Sequence, residues 1–204
     1  MDRVSDDPKA EIAATVAKQM QTAPKVIAQK ICLVGDFNVG KTSLIRQFVD
    51  RQFSDQYLTT VGVKISRKLV SLSSQAHQLS AETQQQLQLI VWDIEGSTKF
   101  KTIAPNYLQG AKGAVIVGDV TRQSTIQSLQ SHIHLFNSIN PKSVLVIALN
   151  KIDLIKDIEN EEILNYLSQK LSINKDLIKL TSAKTGKGVD EIFHDLTLQI
   201  LSIG

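Results

Sequence analysis

The chain has 204 residues, 42% hydrophobic and 21% charged, with a net charge of +3: enough apolar content for one real core, and no block of Lys and Arg that would demand nucleic acid or an anionic membrane. Its single cysteine, Cys32, lies in the apolar run "KICLVG", where a small buried hydrophobe is expected rather than a reactive thiol or a metal ligand. With no internal disulfide to form, an intracellular, cytoplasmic protein is the default expectation.

The N-terminus, "MDRVSDDPKAEIAATVAKQM", carries acids where a signal peptide needs bases, and no apolar stretch approaches the about 18 residues of a membrane span. Asp2 follows Met1 where myristoylation needs glycine, and the final "LTLQILSIG" holds no cysteine to prenylate, so no lipid anchor of its own is expected. Within residues 1–28, Ile12, Val16 and Met20 recur at helical spacing between Pro8 and Pro24. This predicts a short amphipathic helix outside the main domain of residues 29–204; its apolar stripe is narrow, so it is expected to dock or fray.

From Lys30 the pattern becomes α/β. "KICLVG", "LQLIVWD", "GAVIVGD" and "SVLVIALN" are near-continuous apolar runs, as parallel strands covered on both faces require. Helical faces follow, with Ile163, Leu164, Leu167 and Leu171 on one and Val189, Ile192, Phe193, Leu196 and Ile200 on another. Such alternation implies βαβ units with ligand chemistry at the C-terminal strand ends. The Ser- and Gln-rich stretch over residues 73–86 reads as a long hairpin tip joining strands near 62–72 and 87–93.

The first strand runs into "GDFNVGKTS", which fits G-x-x-x-x-G-K-[ST] and opens an amphipathic helix. Gly35, Asp36, Asn38, Val39, Gly40, Lys41, Thr42 and Ser43 are therefore candidates to cradle an anion. Backbone N–H groups curl around it, Lys41 reaches the β- and γ-phosphates, and the Thr42 hydroxyl is offered to Mg²⁺. Asp93, at the end of the third predicted strand, is the matching second anchor for Mg²⁺. Later, "ALNKID" ends a strand at Asn150, Lys151 and Asp153, and "LTSAKTG" follows the next at Ser182, Ala183 and Lys184. A carboxylate at Asp153 can accept from both N1–H and the 2-amino group of guanine, a donor pair that adenine lacks.

Taken in order, "GDFNVGKT", Thr60 in "YLTTVGV", "WDIEG", "NKID" and "TSAK" make residues 29 to 203 resemble a Ras-superfamily small GTPase, most nearly of the Rab branch. The resemblance implies a P-loop domain with a six-stranded, mostly parallel sheet flanked by helices, and GTP/GDP switching with Mg²⁺. Thr60, nineteen residues after Lys41, would close onto Mg²⁺ and the γ-phosphate, Phe53 would stack on guanine, and the Gly96 amide would bond the γ-phosphate. Lys41, Thr60, Gly96 and the residue at 97 would make up the catalytic set. An effector would contact switch I (54–62) and switch II (94–108), and an exchange factor would open the site.

Three departures stand out. Against the Rab pattern "WDTAGQERF", Glu95 replaces Ala and Ser97 replaces the water-orienting glutamine, so hydrolysis is expected to be slow. Phe37 is bulky where the family is small, which disfavours an arginine-finger activator. The Glu95 carboxylate would be repelled by a γ-phosphate unless it paired with Lys99 or Lys101, bonded water or pointed away; a solvated turn carboxylate is the plainer reading, a substitute water-positioning base the sharper one. A GTP-holding or nucleotide-insensitive scaffold is the alternative to a switch, while an ATP-using kinase is disfavoured by "NKID" and "TSAK". His132 and His134, two apart on a predicted helix, make a poor metal pair and are expected in surface or packing roles.

Overall fold

The computed structural model describes residues 26–54, 60, 62–71, 86–96, 104–155 and 160–203. The predicted helix of the N-terminal extension, most of the 73–86 hairpin tip, Ser97, Lys99 and Lys101 lie outside them.

In chain order the elements are β1 (Val26–Val34), α1 (Lys41–Asp50), β2 (Val63–Ser71), β3 (Gln86–Ile94), α2 (Ala104–Leu108), β4 (Gly113–Asp119), α3 (Gln123–Gln127), α4 (Leu129–Ile139), β5 (Val144–Asn150), α5 (Asn160–Leu171), β6 (Ile178–Leu180) and α6 (Val189–Ser202). The strands form one sheet of order β2-β3-β1-β4-β5-β6. Only the β2–β3 pair is antiparallel, the remaining pairs being parallel. The expected six-stranded, mostly parallel sheet is thus present. The first strand starts earlier than "KICLVG" suggested: Val26, Ile27 and Ala28 already pair with Gln86, Leu87 and Gln88, because the third strand offers partners all the way back to Gln86.

Two-residue alternation on the buried strands builds a core on each face. Ile31 and Leu33 point with Val115, Val117 and Val146 toward α1 and α6, where Leu44, Phe48, Ile192, Phe193 and Leu196 meet them. Cys32 and Val34 point the other way with Ala114, Ile116 and Ile147, against Phe136 of α4 and Leu167 and Leu171 of α5. Phe48 and Phe193 stack at 4.0 Å between ring centroids and 11° between planes, a contact worth about 0.5–1.5 kcal/mol beyond its area. It locks α1 against α6 and so fixes the helix whose N-terminus faces the strand ends.

Register decides what meets there. Leu33 pairs with Asp93 and Asp119 with Asn150, so the C-terminal ends of β1, β3, β4 and β5 come out together. On β3 the buried residues alternate through Leu87, Leu89, Val91 and Asp93, which sets Asp93 on the α1 face, at the helix N-terminus.

Candidate functional site

Between β1 and α1 the backbone takes conformations that favour glycine and asparagine: Asn38 has φ 61° and Gly40 φ 98°. Gly40 is required twice over, since a Cβ there would lie 2.3 Å from Nδ2 of Asn150. Gly40 caps α1 without a side-chain hydrogen bond, and the first turn holds no acid. The unpaired N–H groups of Lys41, Thr42 and Ser43 are left for an outside acceptor, and the helix terminus favours an anion.

Lys41 is the charged partner of that cup. Its side chain is 7% exposed, and its Nζ donates to the carbonyls of Gly35 at 2.8 Å and Asp36 at 2.9 Å. Burial pushes its pKa down to about 8, against the favourable charges of Asp93, Asp36 and Glu95. An arriving phosphate would add an anion in direct contact, where the ammonium now donates to two carbonyls.

Beside it, the Thr42 and Thr60 hydroxyls lie 2.7 Å apart, Thr42 donates to Oδ2 of Asp93, and Thr60 reaches the same oxygen at 3.3 Å. Asp93 is 2% exposed, and its Oδ1 is buried with no hydrogen-bond partner. Burial raises its pKa despite the bonds from Thr42 and Thr60 and the charge of Lys41. An orphaned buried carboxylate oxygen beside two hydroxyls is a cost that a divalent cation would remove. The donors at this corner, two hydroxyls and a carboxylate, are hard oxygens. They fit Mg²⁺, which keeps waters and takes one or two carboxylates plus phosphate, rather than a nitrogen- or sulfur-seeking ion.

At the far end of the cleft, the Asn150 side chain is buried. It donates to the Val39 carbonyl at 2.9 Å and accepts from the Ala183 amide at 3.2 Å and the Thr181 hydroxyl at 3.3 Å, stitching the β1–α1 loop to the ends of β5 and β6. Lys151, at φ 70°, donates to the Asn38 carbonyl at 2.9 Å and pairs with Asp119 at 2.7 Å. The Ser182 hydroxyl donates to Asp153 at 2.6 Å and accepts from the Thr185 amide at 3.1 Å, which aims the exposed Asp153 carboxylate as a two-lone-pair acceptor.

Asn38, Gly40, Lys41, Thr42, Ser43, Phe53, Thr60, Asp93, Glu95, Gly96, Asn150, Lys151, Asp153, Ala183 and Lys184 line one cleft. Gly35, Asp36, Val39 and Ser182, also expected at the site, stand behind it. Their carbonyls or hydroxyl hold Lys41, Asn150 and Asp153 in place. Phe37 and Phe53 are exposed at its rim, at 42% and 37%.

Two expectations change. Glu95 is more than a solvated turn carboxylate: its Oε2 accepts the Gly62 amide at 2.8 Å, since the β2–β3 register sets Gly62 opposite it. His132 is more than a packing residue, its Nε2 lying 3.0 Å from Oδ1 of the P-loop Asp36. Asp119 and Arg122 carry support that went unread. Thr121, Arg122 and Lys151 converge on the Asp119 carboxylate; burial works to raise its pKa, but the bonds from Lys151 and Thr121 win and hold it below the usual carboxylate range. Arg122 also donates to the Phe37 carbonyl at 2.8 Å. The signal was available, since Asp119 ends a buried run as Asp93 does.

A family model described as "Ras of Complex, Roc, domain of DAPkinase" matches residues 30–153. Over 176 residues the chain is 30% identical to the Ras-related protein Rab-22A of Mus musculus, covering 85% of this chain and 84% of that protein. It is 34% identical to the Ras-related protein Rab-2B of Dictyostelium discoideum over 176 residues, 84% of this chain and 80% of the relative. The GTP-binding protein ypt4 of Schizosaccharomyces pombe is 31% identical over 176 residues, 85% of this chain and 71% of that one.

Proposed function

The chain belongs to the Rab-like branch of the Ras superfamily, GTP-binding switches that take GTP or GDP with Mg²⁺, and from that membership we propose how this cleft works and how fast. The single observation that carries the reading is the convergence of Lys41, the Thr42–Thr60–Asp93 corner and the Asp153 acceptor on one cleft. The cup of amides and Lys41 seats the β- and γ-phosphates. Thr42, Thr60 and Asp93 hold Mg²⁺, which when bound offsets the negative charge of the phosphates. Asp153, aimed by Ser182, accepts from guanine N1–H and the 2-amino group, Phe53 covers the base, and the Gly96 amide meets the γ-phosphate. Thr60 moves with switch I, so that an effector meets switch I and II in the GTP state and an exchange factor acts on the same segments. Among the described residues no helix is long and apolar enough to cross a membrane.

GTP is hydrolysed, but slowly. Ser97 stands where the family pattern has the glutamine that orients attacking water, and a serine side chain is too short to do so from the same backbone position. Phe37, exposed at the phosphate end of the cleft, crowds the approach of an activator's arginine. Single-turnover hydrolysis is expected below the roughly 10⁻⁴ s⁻¹ of a glutamine-bearing relative, and Ser97→Gln should raise it by at least about tenfold. A wild-type rate equal to that of an ordinary Rab, or no gain in the variant, would refute the assignment.

The function itself is tested by releasing the nucleotide from purified protein with heat and identifying it. GDP supports a switch that turns over, GTP a locked one, and no nucleotide at all a scaffold. ATP or ADP would overturn the guanine reading.

A further inference from the structure

We propose that the Glu95 carboxylate is an internal clasp on Gly62 that keeps Thr60 beside Thr42 and Asp93 without help from a γ-phosphate. Glu95 is then a positioning residue rather than a substitute base. The inference rests on the reading of Thr60 and Asp93 as part of a guanine-nucleotide and Mg²⁺ site, and concerns how that site is regulated.

The β2–β3 ladder runs from Ser71 opposite Gln86 to Val63 opposite Ile94, so the next rung falls on Gly62 and Glu95. In an ordinary hydrogen-bonded antiparallel pair two residues exchange both N–H···O bonds. Here the Glu95 amide donates to the Gly62 carbonyl at 3.0 Å, while the return bond, from the Gly62 amide, goes to Oε2 of the Glu95 side chain at 2.8 Å. Gly62, at φ +77°, is where the chain turns out of the ladder, the point at which a strand start would otherwise fray. An alanine at 95, as in the Rab pattern, keeps the first bond and has no side-chain acceptor for the second. A carboxylate acceptor makes the second bond of the stronger, charge-assisted kind.

Thr60 is two residues upstream of Gly62, and two residues span at most about 7 Å, so holding Gly62 limits how far Thr60 can move from Thr42 and Asp93, beside which its hydroxyl lies. Every atom in this clasp belongs to the chain itself. A switch reports the γ-phosphate only to the extent that its closed state needs it. A clasp that favours closure with either nucleotide therefore narrows the difference between the GDP and GTP forms, at the place where an effector would read it.

The test loads the full chain with GDP or a non-hydrolysable GTP analogue and follows hydrogen exchange of the Gly62 amide by NMR. In wild type the two forms should be protected alike, to within about threefold. In Glu95→Ala the GDP form should exchange faster by roughly ten- to hundredfold, the worth of a hydrogen bond to a charged group, while amides of the buried β4 strand, such as that of Val115, keep their protection and show that the variant is folded. Glu95→Gln, whose amide oxygen can accept the same N–H, should restore most of the protection in GDP. A wild-type GDP form that exchanges as fast as Glu95→Ala, or a Gln variant no better than Ala, overturns the clasp and leaves the nucleotide reading standing. Failure of either guanine nucleotide to bind in a prior fluorescent-nucleotide titration overturns both.

Discussion

Replacing Lys41 with alanine is expected to weaken GTP and GDP binding by roughly thirtyfold to several thousandfold. The magnitude follows from burial. Lys41 is almost wholly enclosed, its ammonium is held by two P-loop carbonyls, and truncating one partner of a desolvated charge pair costs about 2–5 kcal/mol, with about 1.4 kcal/mol for each tenfold. The pKa of about 8 in the nucleotide-free protein adds a signature that a merely structural lysine would lack. Phosphate favours the charged form, so above about pH 8 binding must take up a proton and affinity must fall as pH rises. Stability of the free protein runs the other way. Between about 8 and the ordinary 10.5 the unfolded chain binds more protons than the folded one, so stability rises with pH across that window. Lys41→Met should abolish that rise. Calorimetric titration of GDP at pH 7 and 9, in buffers of different ionisation enthalpy, reads the proton uptake; urea melts over the same range read the stability. GDP affinity in Lys41→Ala within twofold of wild type would remove Lys41 from the site.

What the sequence made legible divides along a physical line. Residues whose placement is set by neighbours in the chain were readable: a strand ending in a glycine turn that opens a helix, or an Asp at the end of an apolar run, states its geometry locally. The sheet was readable for the same reason, since buried parallel strands show as unbroken apolar runs. Contacts set by packing between distant segments were not. His132 reaches Asp36 across 96 positions, and nothing in "SLQSHIHLFNSIN" says which face of α4 meets the phosphate loop. Glu95 was recognised as anomalous, but its partner depended on the ladder register, which placed Gly62 opposite. Asp119 was missed for a different reason. It satisfies the rule that singled out Asp93, yet its partners are Lys151, Arg122 and Thr121 rather than a metal corner, and two of those three lie in the turn after β4 while Lys151 comes from the end of β5.

Gly96→Ala is expected to separate GTP from GDP binding. A Cβ there would lie 2.5 Å from the Gly35 carbonyl oxygen, 2.5 Å from Nζ of Lys41 and 2.6 Å from the Asp36 carbonyl carbon. Carbon atoms need about 3.5–4.0 Å. Two of the three obstacles are backbone, and the third is held by those same carbonyls, so none can yield alone. The start of switch II must therefore move off the P-loop by about 1 Å, carrying the Gly96 amide away from the place a γ-phosphate would take. A hydrogen bond to a charged group is worth about 1.5–3 kcal/mol, so affinity for a GTP analogue should fall by roughly ten- to hundredfold. GDP has no γ-phosphate to lose, and its affinity should fall by less than about threefold on the same reasoning. Turnover falls further still, because a displacement of about 1 Å at a reacting centre costs about a hundredfold in rate. Paired titrations with GDP and the analogue decide the matter. An equal loss for both would mean that the methyl group disturbs the P-loop as a whole, and that the Gly96 amide does not sense the γ-phosphate.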